Sequence, residues 1–161
     1  MANRPLLRGA TNDAKAIHNL LVNKLGWHED DVTVLEDSDL INVPTHPHVF
    51  GVPAALCHEA SKSSPTRANI LQELIKLVDG ARPGDVRFFM FSGLGCCVDD
   101  PEADEDEGYH EAILPCDYES GKNHMHSRDH QVILTKQISN ILRSVKKGVQ
   151  VIALMDCDHG A

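Results

Sequence analysis

Two stretches of this sequence are almost continuously apolar, and each is followed by small and polar residues. The first runs from Val86 to Phe91 and precedes "SGLGCC", and the second runs from Val149 to Met155 and precedes "DCDHGA". A β-strand buried on both faces requires such a run, because successive side chains point to opposite faces of a sheet. We therefore predict two adjacent parallel strands in a sheet covered by helices. Since ligands of such sheets bind beyond the carboxyl ends of the strands, the two polar stretches form the candidate site.

Helices are predicted where apolar residues recur every three or four positions. The predicted ranges are 12–25, 66–79 and 136–147, and each is followed by a glycine, a residue that commonly ends helices. Val32 to Leu35 is predicted as a short strand. Residues 38–64, rich in proline, serine and histidine, are predicted as a long loop.

Size and composition limit the classes of protein to which this chain can belong. Its 161 residues suit one domain over 1–161, and the hydrophobic fraction of 42% is typical of a globular protein. The net charge of −9 argues against nucleic-acid binding, because no basic surface would offset the repulsion from phosphates. No apolar run is long enough for a membrane span, and the first ten residues lack the apolar core of a signal peptide. Five cysteines without a framework spacing indicate reduced thiols, so we expect a cytoplasmic location.

Five short motifs follow one another along nearly the whole chain. They are "GATNDA" (9–14), "PTRANI" (65–70), "PGDVRFFMFSGLG" (83–95), "HEAILPCD" (110–117) and "DCDHGA" (156–161). In this order they resemble the motifs of metacaspases, the caspase-like cysteine peptidases of fungi, plants and protists. The resemblance implies a caspase-like three-layer α/β sandwich, with a mainly parallel sheet flanked by helices. Because the family has a strand before the first motif and a region after the last, the fold is expected to be truncated at both ends.

The same resemblance implies that both catalytic residues are replaced. The family's general base is the histidine of "SGHG", where this chain has Leu94, and its nucleophile is the cysteine before the histidine of "CHSG", where this chain has Asp158. Thiol catalysis requires a thiolate and an imidazole that exchange a proton. Leucine carries no titratable group, and an aspartate is a poor nucleophile toward an amide. Cys157 is expected to point away from the cleft, because neighbouring residues of a strand face opposite sides.

Metacaspases bind arginine or lysine in an acidic pocket, and the resemblance places that pocket at Asp13, Ser92 and Asp156. Ala10 stands where the family usually has a cysteine. Carboxylates at the end of the sheet would still attract a basic side chain. The alternative is that Asp156 only ends a strand and Asp13 only caps a helix.

No metal or other cofactor is predicted. Metacaspases are often activated by calcium held by acidic residues, and the resemblance places His110, Thr135 and Lys136 at positions where the family has acids. Calcium prefers several oxygen ligands, so the site is expected to be lost. The acidic run at 99–107 is predicted to be a solvated loop.

Two groups of residues could bind zinc instead. The first is His124, His126 and His130, and the second is Cys96, Cys97, Cys157 and His159. Neither group has a recognised zinc-ligand spacing, so clustering without metal is the preferred interpretation.

The sequence therefore favours a catalytically inactive metacaspase homologue that acts as a binding or regulatory module. Its expected partners are an active metacaspase, a second copy of itself, or basic peptides, because a truncated sheet leaves edges that pair with other chains. Two alternatives remain: a cysteine endopeptidase that cleaves after arginine or lysine with a displaced or partner-supplied thiol, and an inactive fragment of such an enzyme.

Overall fold

The computed structural model describes residues 9–37, 62–99, 108–118 and 132–158. The strands are β1 (Val86–Asp99), β2 (Tyr109–Ile113), β3 (Ile133–Leu134) and β4 (Gln150–Asp158). The helices are α1 (Ala10–Asn19), continued by a π-helical turn at Leu20–Lys24, α2 (Arg67–Val78) and α3 (Thr135–Leu142), with a short 3-10 turn at Glu29–Asp31.

None of the helices in these ranges is long and apolar enough to cross a membrane. Most of the predicted acidic loop at 99–107 and most of the predicted loop at 38–64 lie outside the described residues, and Asp99 is the last residue of β1.

The four strands form one mixed sheet in the order β3-β2-β1-β4. β1 and β4 are parallel neighbours over the whole of β4, from Val86 opposite Gln150 to Leu94 opposite Asp158. This pairing confirms the two adjacent parallel strands and the α/β class. The sheet is nevertheless not parallel throughout, because β2 and β3 pair antiparallel with their neighbours.

β1 is longer than predicted because it belongs to two ladders. Its first part pairs with β4, and from Gly95 onward it pairs with β2 on its other side. The stretch "SGLGCC", predicted to leave the sheet, is therefore strand, and β4 likewise continues through "DCD" to Asp158. The prediction relied on composition, because glycine and aspartate are depleted in strands, but pairing with neighbouring strands overrides that preference here.

The helices cover both faces of the sheet. Phe89 and Phe91 of β1 pack against the apolar cluster formed with α2 and α3. The alternate residues of β1 face α1 and the chain after it, where Phe88 makes an edge-to-face contact with Trp27 at 6.5 Å between ring centroids. The core centres on Leu74, Ile113 and Ile133, each at most 2% exposed. Burying an aliphatic side chain of this size stabilises the fold by about 1.5–3 kcal/mol.

Three sequence predictions differ in detail from the structure. Helix α3 ends at Leu142 rather than 147, and the Ser144 hydroxyl donates a hydrogen bond to the Ile141 carbonyl at 2.7 Å, which competes with continued helix. The strand predicted at Val32–Leu35 is wrong: Val32 has extended backbone, but no described strand pairs with the segment. α1 begins at Ala10, two positions earlier than predicted.

The start of α2 is tied to two distant parts of the chain. Thr66 accepts a hydrogen bond from the Asn69 N–H as the N-cap, and the Asp117 carboxylate accepts one from the Arg67 N–H at 2.8 Å. The Arg67 guanidinium in turn donates to the Val132 carbonyl at 3.1 Å. A carboxylate is favoured at this end of a helix, because the first N–H groups lack partners within the helix.

Gly93 lies where a side chain would not fit. A Cβ atom at this position would come within 2.8 Å of the Phe91 ring, which itself packs against the core beneath α2 and α3. The ring therefore has little freedom to move aside.

We expect Gly93→Ala to lower the free energy of unfolding by about 1–3 kcal/mol, the usual cost of overpacking. The matched control is Gly9→Ala, where the added Cβ would meet its nearest neighbour at 3.6 Å and φ is −73°. Both changes stiffen the unfolded chain similarly, so urea unfolding of the two variants isolates the clash. Equal stabilities would contradict the packing of Phe91 over Gly93.

Candidate functional site

The three residues proposed for substrate binding lie together on one face of the sheet. The Ser92 hydroxyl donates a hydrogen bond to the Asp13 carboxylate at 3.1 Å, which joins β1 to α1. Asp156 is the direct parallel partner of Ser92 on β4. Adjacent strands are about 4.8 Å apart, and register partners in a sheet share a face. The structure thus brings Asp13, Ser92 and Asp156 into one cluster at the carboxyl end of the sheet.

Leu94 and Asp158 are also register partners, and they lie two residues beyond Ser92 and Asp156 on their strands. The alternation of side chains puts Leu94 on the same face of the sheet as Ser92, and the Leu94 side chain is only partly buried. The two positions that the sequence relates to the catalytic dyad therefore lie side by side. Residues of the right chemistry at these backbone positions would be near enough to exchange a proton.

Of the neighbouring thiols, Cys157 lies on the opposite face, whereas Cys96 follows Leu94 by two residues along β1 and so shares its face. Cys157 pairs with Gly93 and packs against the apolar cluster beneath α2 and α3. Cys96 packs against a second apolar cluster formed by Val98, Ala112 and Val132. The expectation that Cys157 points away from the cleft therefore agrees with the packing.

The site combines two carboxylates with a hydroxyl, a set that favours a cation. Asp156 is exposed and Asp13 is partly buried, so an incoming basic group would meet one carboxylate in solvent and a second held by Ser92. Leu94 adds an apolar surface beside them. Such a site can hold a guanidinium or an ammonium through charge-assisted hydrogen bonds.

The positions related to calcium binding lie elsewhere, beside β2 and at the start of α3. The Thr135 hydroxyl donates a hydrogen bond to the Glu111 carbonyl at 3.2 Å, and Lys136 is exposed. His110 lies on β2 opposite Val98. Within the described residues no group of three or more acidic, histidine or cysteine side chains is arranged to hold a metal ion.

Other residues related to metal binding fall outside this part of the structure. The zinc alternative at His124, His126 and His130 lies outside the described residues, as does His159 of the second group.

No role was predicted for Asp117 or Arg67, although both belong to motifs identified in the sequence. The structure shows them joining three segments at the start of α2, through hydrogen bonds that span 50 and 65 positions of sequence. An aspartate after proline and cysteine signals a turn or a cap, but its partner is too distant in the chain for a local pattern to reveal.

Comparison with known proteins agrees with the order of the motifs. The model of the family "Metacaspase, peptidase C14 domain" matches residues 2–161. Metacaspase-1 of Cryptococcus neoformans is 32% identical over 154 residues, which are 95% of this chain and 28% of that protein. Metacaspase-1 of Saccharomyces cerevisiae is 30% identical over 155 residues, covering 95% of this chain and 29% of the relative.

Metacaspase-1 of Yarrowia lipolytica is 30% identical over 159 residues and covers 99% of this chain, but again only 29% of the relative. A crystal structure of a Geobacter sulfurreducens protein aligns with 67% of this chain and 39% of its own, at a TM-score of 0.48 and 22% identity. The chain spans less than a third of the length of these metacaspases. With a family match over residues 2–161, this chain belongs to the metacaspase family and carries its peptidase C14 domain.

Proposed function

We propose that this chain is a catalytically inactive metacaspase homologue that binds basic peptide segments without cleaving them. The observation that carries the proposal is the direct pairing of Leu94 with Asp158. These are the two positions related to the family's base and nucleophile, and neither residue has the chemistry for the role. The proposed role includes regulation of an active metacaspase through the same binding face.

The reaction requires a proton acceptor beside a thiol, and Leu94 cannot accept a proton. A carboxylate at position 158 is a weak nucleophile toward an amide carbonyl. The thiol nearest in sequence, Cys157, packs into the apolar core on the opposite face. Moving it into the cleft would require the strand to rotate, which would break the pairing with β1.

The binding half of the proposal rests on Asp13, Ser92 and Asp156. The hydrogen bond from Ser92 fixes one carboxylate of Asp13, and Asp156 lies on the adjacent strand. A basic side chain can reach the Asp156 carboxylate from solvent because Asp156 is exposed, and the Asp13 carboxylate is only partly buried. Loss of catalysis leaves this cluster intact, so binding without cleavage is the function that these residues favour.

The unmodified chain is expected not to cleave fluorogenic peptides ending in arginine or lysine, with or without calcium. Replacing both Leu94→His and Asp158→Cys is expected to be necessary for activity. Because the chain covers less than a third of its relatives, activity alone is an insufficient readout. We therefore also expect the new thiol at position 158 to have a lower pKa in the double variant than in Asp158→Cys alone, since an adjacent imidazolium stabilises the thiolate.

The pH dependence of alkylation at position 158 measures this thiol pKa, and the single variant is the matched control. Equal pKa values in the two variants would contradict the adjacency of the two positions. Thiol-sensitive cleavage by the unmodified chain, removed by Cys157→Ala, would instead establish a peptidase with a displaced nucleophile.

A peptide with a C-terminal arginine is expected to bind more weakly to Asp156→Asn by about two- to fivefold, as for a solvent-exposed ion pair. The matched control is Asp30→Asn, since Asp30 is an exposed acid on the 3-10 turn after α1. Fluorescence anisotropy at two salt concentrations measures both affinities. An equal loss in the two variants would show only a general effect of net charge, and no binding at all would reject the proposed function.

We also propose that the chain has lost calcium regulation. The ammonium group of Lys136 repels a divalent cation by about 2 kcal/mol or more at short range. Titration calorimetry with millimolar calcium is expected to show no saturable site, and the melting temperature is expected not to shift. A stoichiometric site that disappears on Asp104→Asn and Asp106→Asn would place calcium in the acidic run instead.

A further inference from the structure

The cluster of Asp13, Ser92 and Asp156 is bordered along β1 by an apolar side chain. Leu94 follows Ser92 by two residues, and its side chain is only partly buried. Residues two apart on a strand share a face and lie about 6.5–7 Å apart along it. A ligand held by the two carboxylates therefore has an aliphatic side chain beside it on the same face.

This apolar surface continues from Leu94 onto β2. The Leu114 N–H donates a hydrogen bond to the Leu94 carbonyl at 2.9 Å, which extends the antiparallel pairing of β1 with β2 by one position. Since directly opposite residues of antiparallel strands share a face, Leu114 lies beside Leu94 on the binding face. Cys96, two residues beyond Leu94, shares that face as well.

Leu94, Cys96 and Leu114 form what we call the apolar strip. All three are partly buried, and Cys96 and Leu114 pack against a buried cluster that consists of Val98, Ala112 and Val132. The cluster supports one end of the strip from within the fold, while Leu94 forms the end next to Ser92. The strip is thus a fixed part of the sheet rather than a loop.

The binding face is divided into an acidic part and an apolar part. The acidic part holds the carboxylates of Asp13 and Asp156, whereas the segment of β1 from Ser92 to Val98 contains no acidic or basic residue. A ligand that matches both parts carries a positive charge and, at a defined distance from it, an apolar group. A peptide with one basic and one apolar side chain has this chemistry.

The distance along β1 sets the spacing of these two side chains in the peptide. In an extended peptide, residues two apart point to the same side and are about 6.5–7 Å apart, whereas adjacent residues point to opposite sides. The step from Ser92 to Leu94 has the same length. A basic residue at the carboxylates therefore presents the residue two positions away to Leu94.

We propose that Leu94 is a specificity-determining residue, which selects peptides with an apolar residue two positions from the basic one. The inference rests on the proposed function, because it names the class of basic peptide that the same site binds. The leucine at the position related to the family's general base then has a positive role. It contributes an apolar contact that an imidazole, a polar ring, supplies less well.

Four capped, labelled peptides of identical composition test the spacing. Two have the arginine and the leucine separated by one glycine, as Arg-Gly-Leu and Leu-Gly-Arg, and two have them adjacent, as Arg-Leu-Gly and Gly-Leu-Arg. By fluorescence anisotropy, the tighter of the separated peptides is expected to bind about three- to tenfold more tightly than either adjacent one. This is the gain expected from partial burial of a leucine side chain.

Three variants test whether Leu94 makes the contact. Leu94→Ser is expected to abolish the preference for the separated peptide, and Leu94→Met, which keeps an apolar side chain, is expected to retain it. The matched control is Leu25→Ser, because Leu25 is 60% exposed and follows the π-helical turn at the other end of the helix that carries Asp13. This control is expected to leave the preference unchanged.

Salt separates the apolar contact from the ionic one. Raising the salt concentration is expected to weaken the binding of all four peptides, because exposed ion pairs are screened. The ratio of affinities between separated and adjacent peptides is expected to stay the same, since the contact with Leu94 involves no charge.

Equal affinities for separated and adjacent peptides, with binding still weakened by Asp156→Asn, would overturn this inference and leave the proposed function standing. A preference that survives Leu94→Ser would also overturn it, because another residue would then make the contact. Failure of all four peptides to bind would reject the proposed function and this inference with it. If Leu94→Ser does not fold, the comparison of the four peptides on the unmodified chain and on Leu94→Met decides the question.

Discussion

The parallel pairing of β1 with β4 is the contact on which the rest of the structure depends. It fixes the register that puts Ser92 beside Asp156 and Leu94 beside Asp158. A shift of one residue would turn every side chain of β4 to the other face, moving Cys157 into the cleft and Asp156 into the core. The apolar residues oppose that shift only weakly, because both faces of each strand are apolar. Burying the Asp156 carboxylate opposes it strongly, because an unpaired buried charge costs much free energy.

Local patterns predicted those parts of the fold that local physics determines. The apolar runs identified β1 and β4, and the helical periodicity identified α1 and α2 to within two residues at each start. The full extent of β1 was missed because its second half is a strand only through pairing with β2. The strand prediction at Val32–Leu35 was wrong for the converse reason, since strand-forming residues make a strand only through pairing and no described strand pairs with this segment.

The candidate site was predicted residue by residue from the resemblance, and the structure supplied what the resemblance could not. Asp13, Ser92 and Asp156 come from three separate motifs, and their adjacency depends on long-range contacts that composition does not encode. The link from Arg67 to Asp117 and Val132 was not foreseen, because hydrogen bonds between distant segments leave no periodic signal. It has a structural meaning: two of the family's motifs, "PTRANI" and "HEAILPCD", are held against each other by it.

The two strands that pair with β1 lie at different distances from it along the chain. β2 follows β1 directly, whereas β4 comes after β2, β3 and α3. Closing the longer loop costs more chain entropy, so the contacts of β1 with β2 are expected to form first and β4 to dock late in folding. Since β4 carries Asp156 and the position paired with Leu94, the binding face is completed only with that last docking step. An intermediate that lacks β4 would already contain most of the buried core and the Asp13–Ser92 pair, and yet lack the second carboxylate of the site.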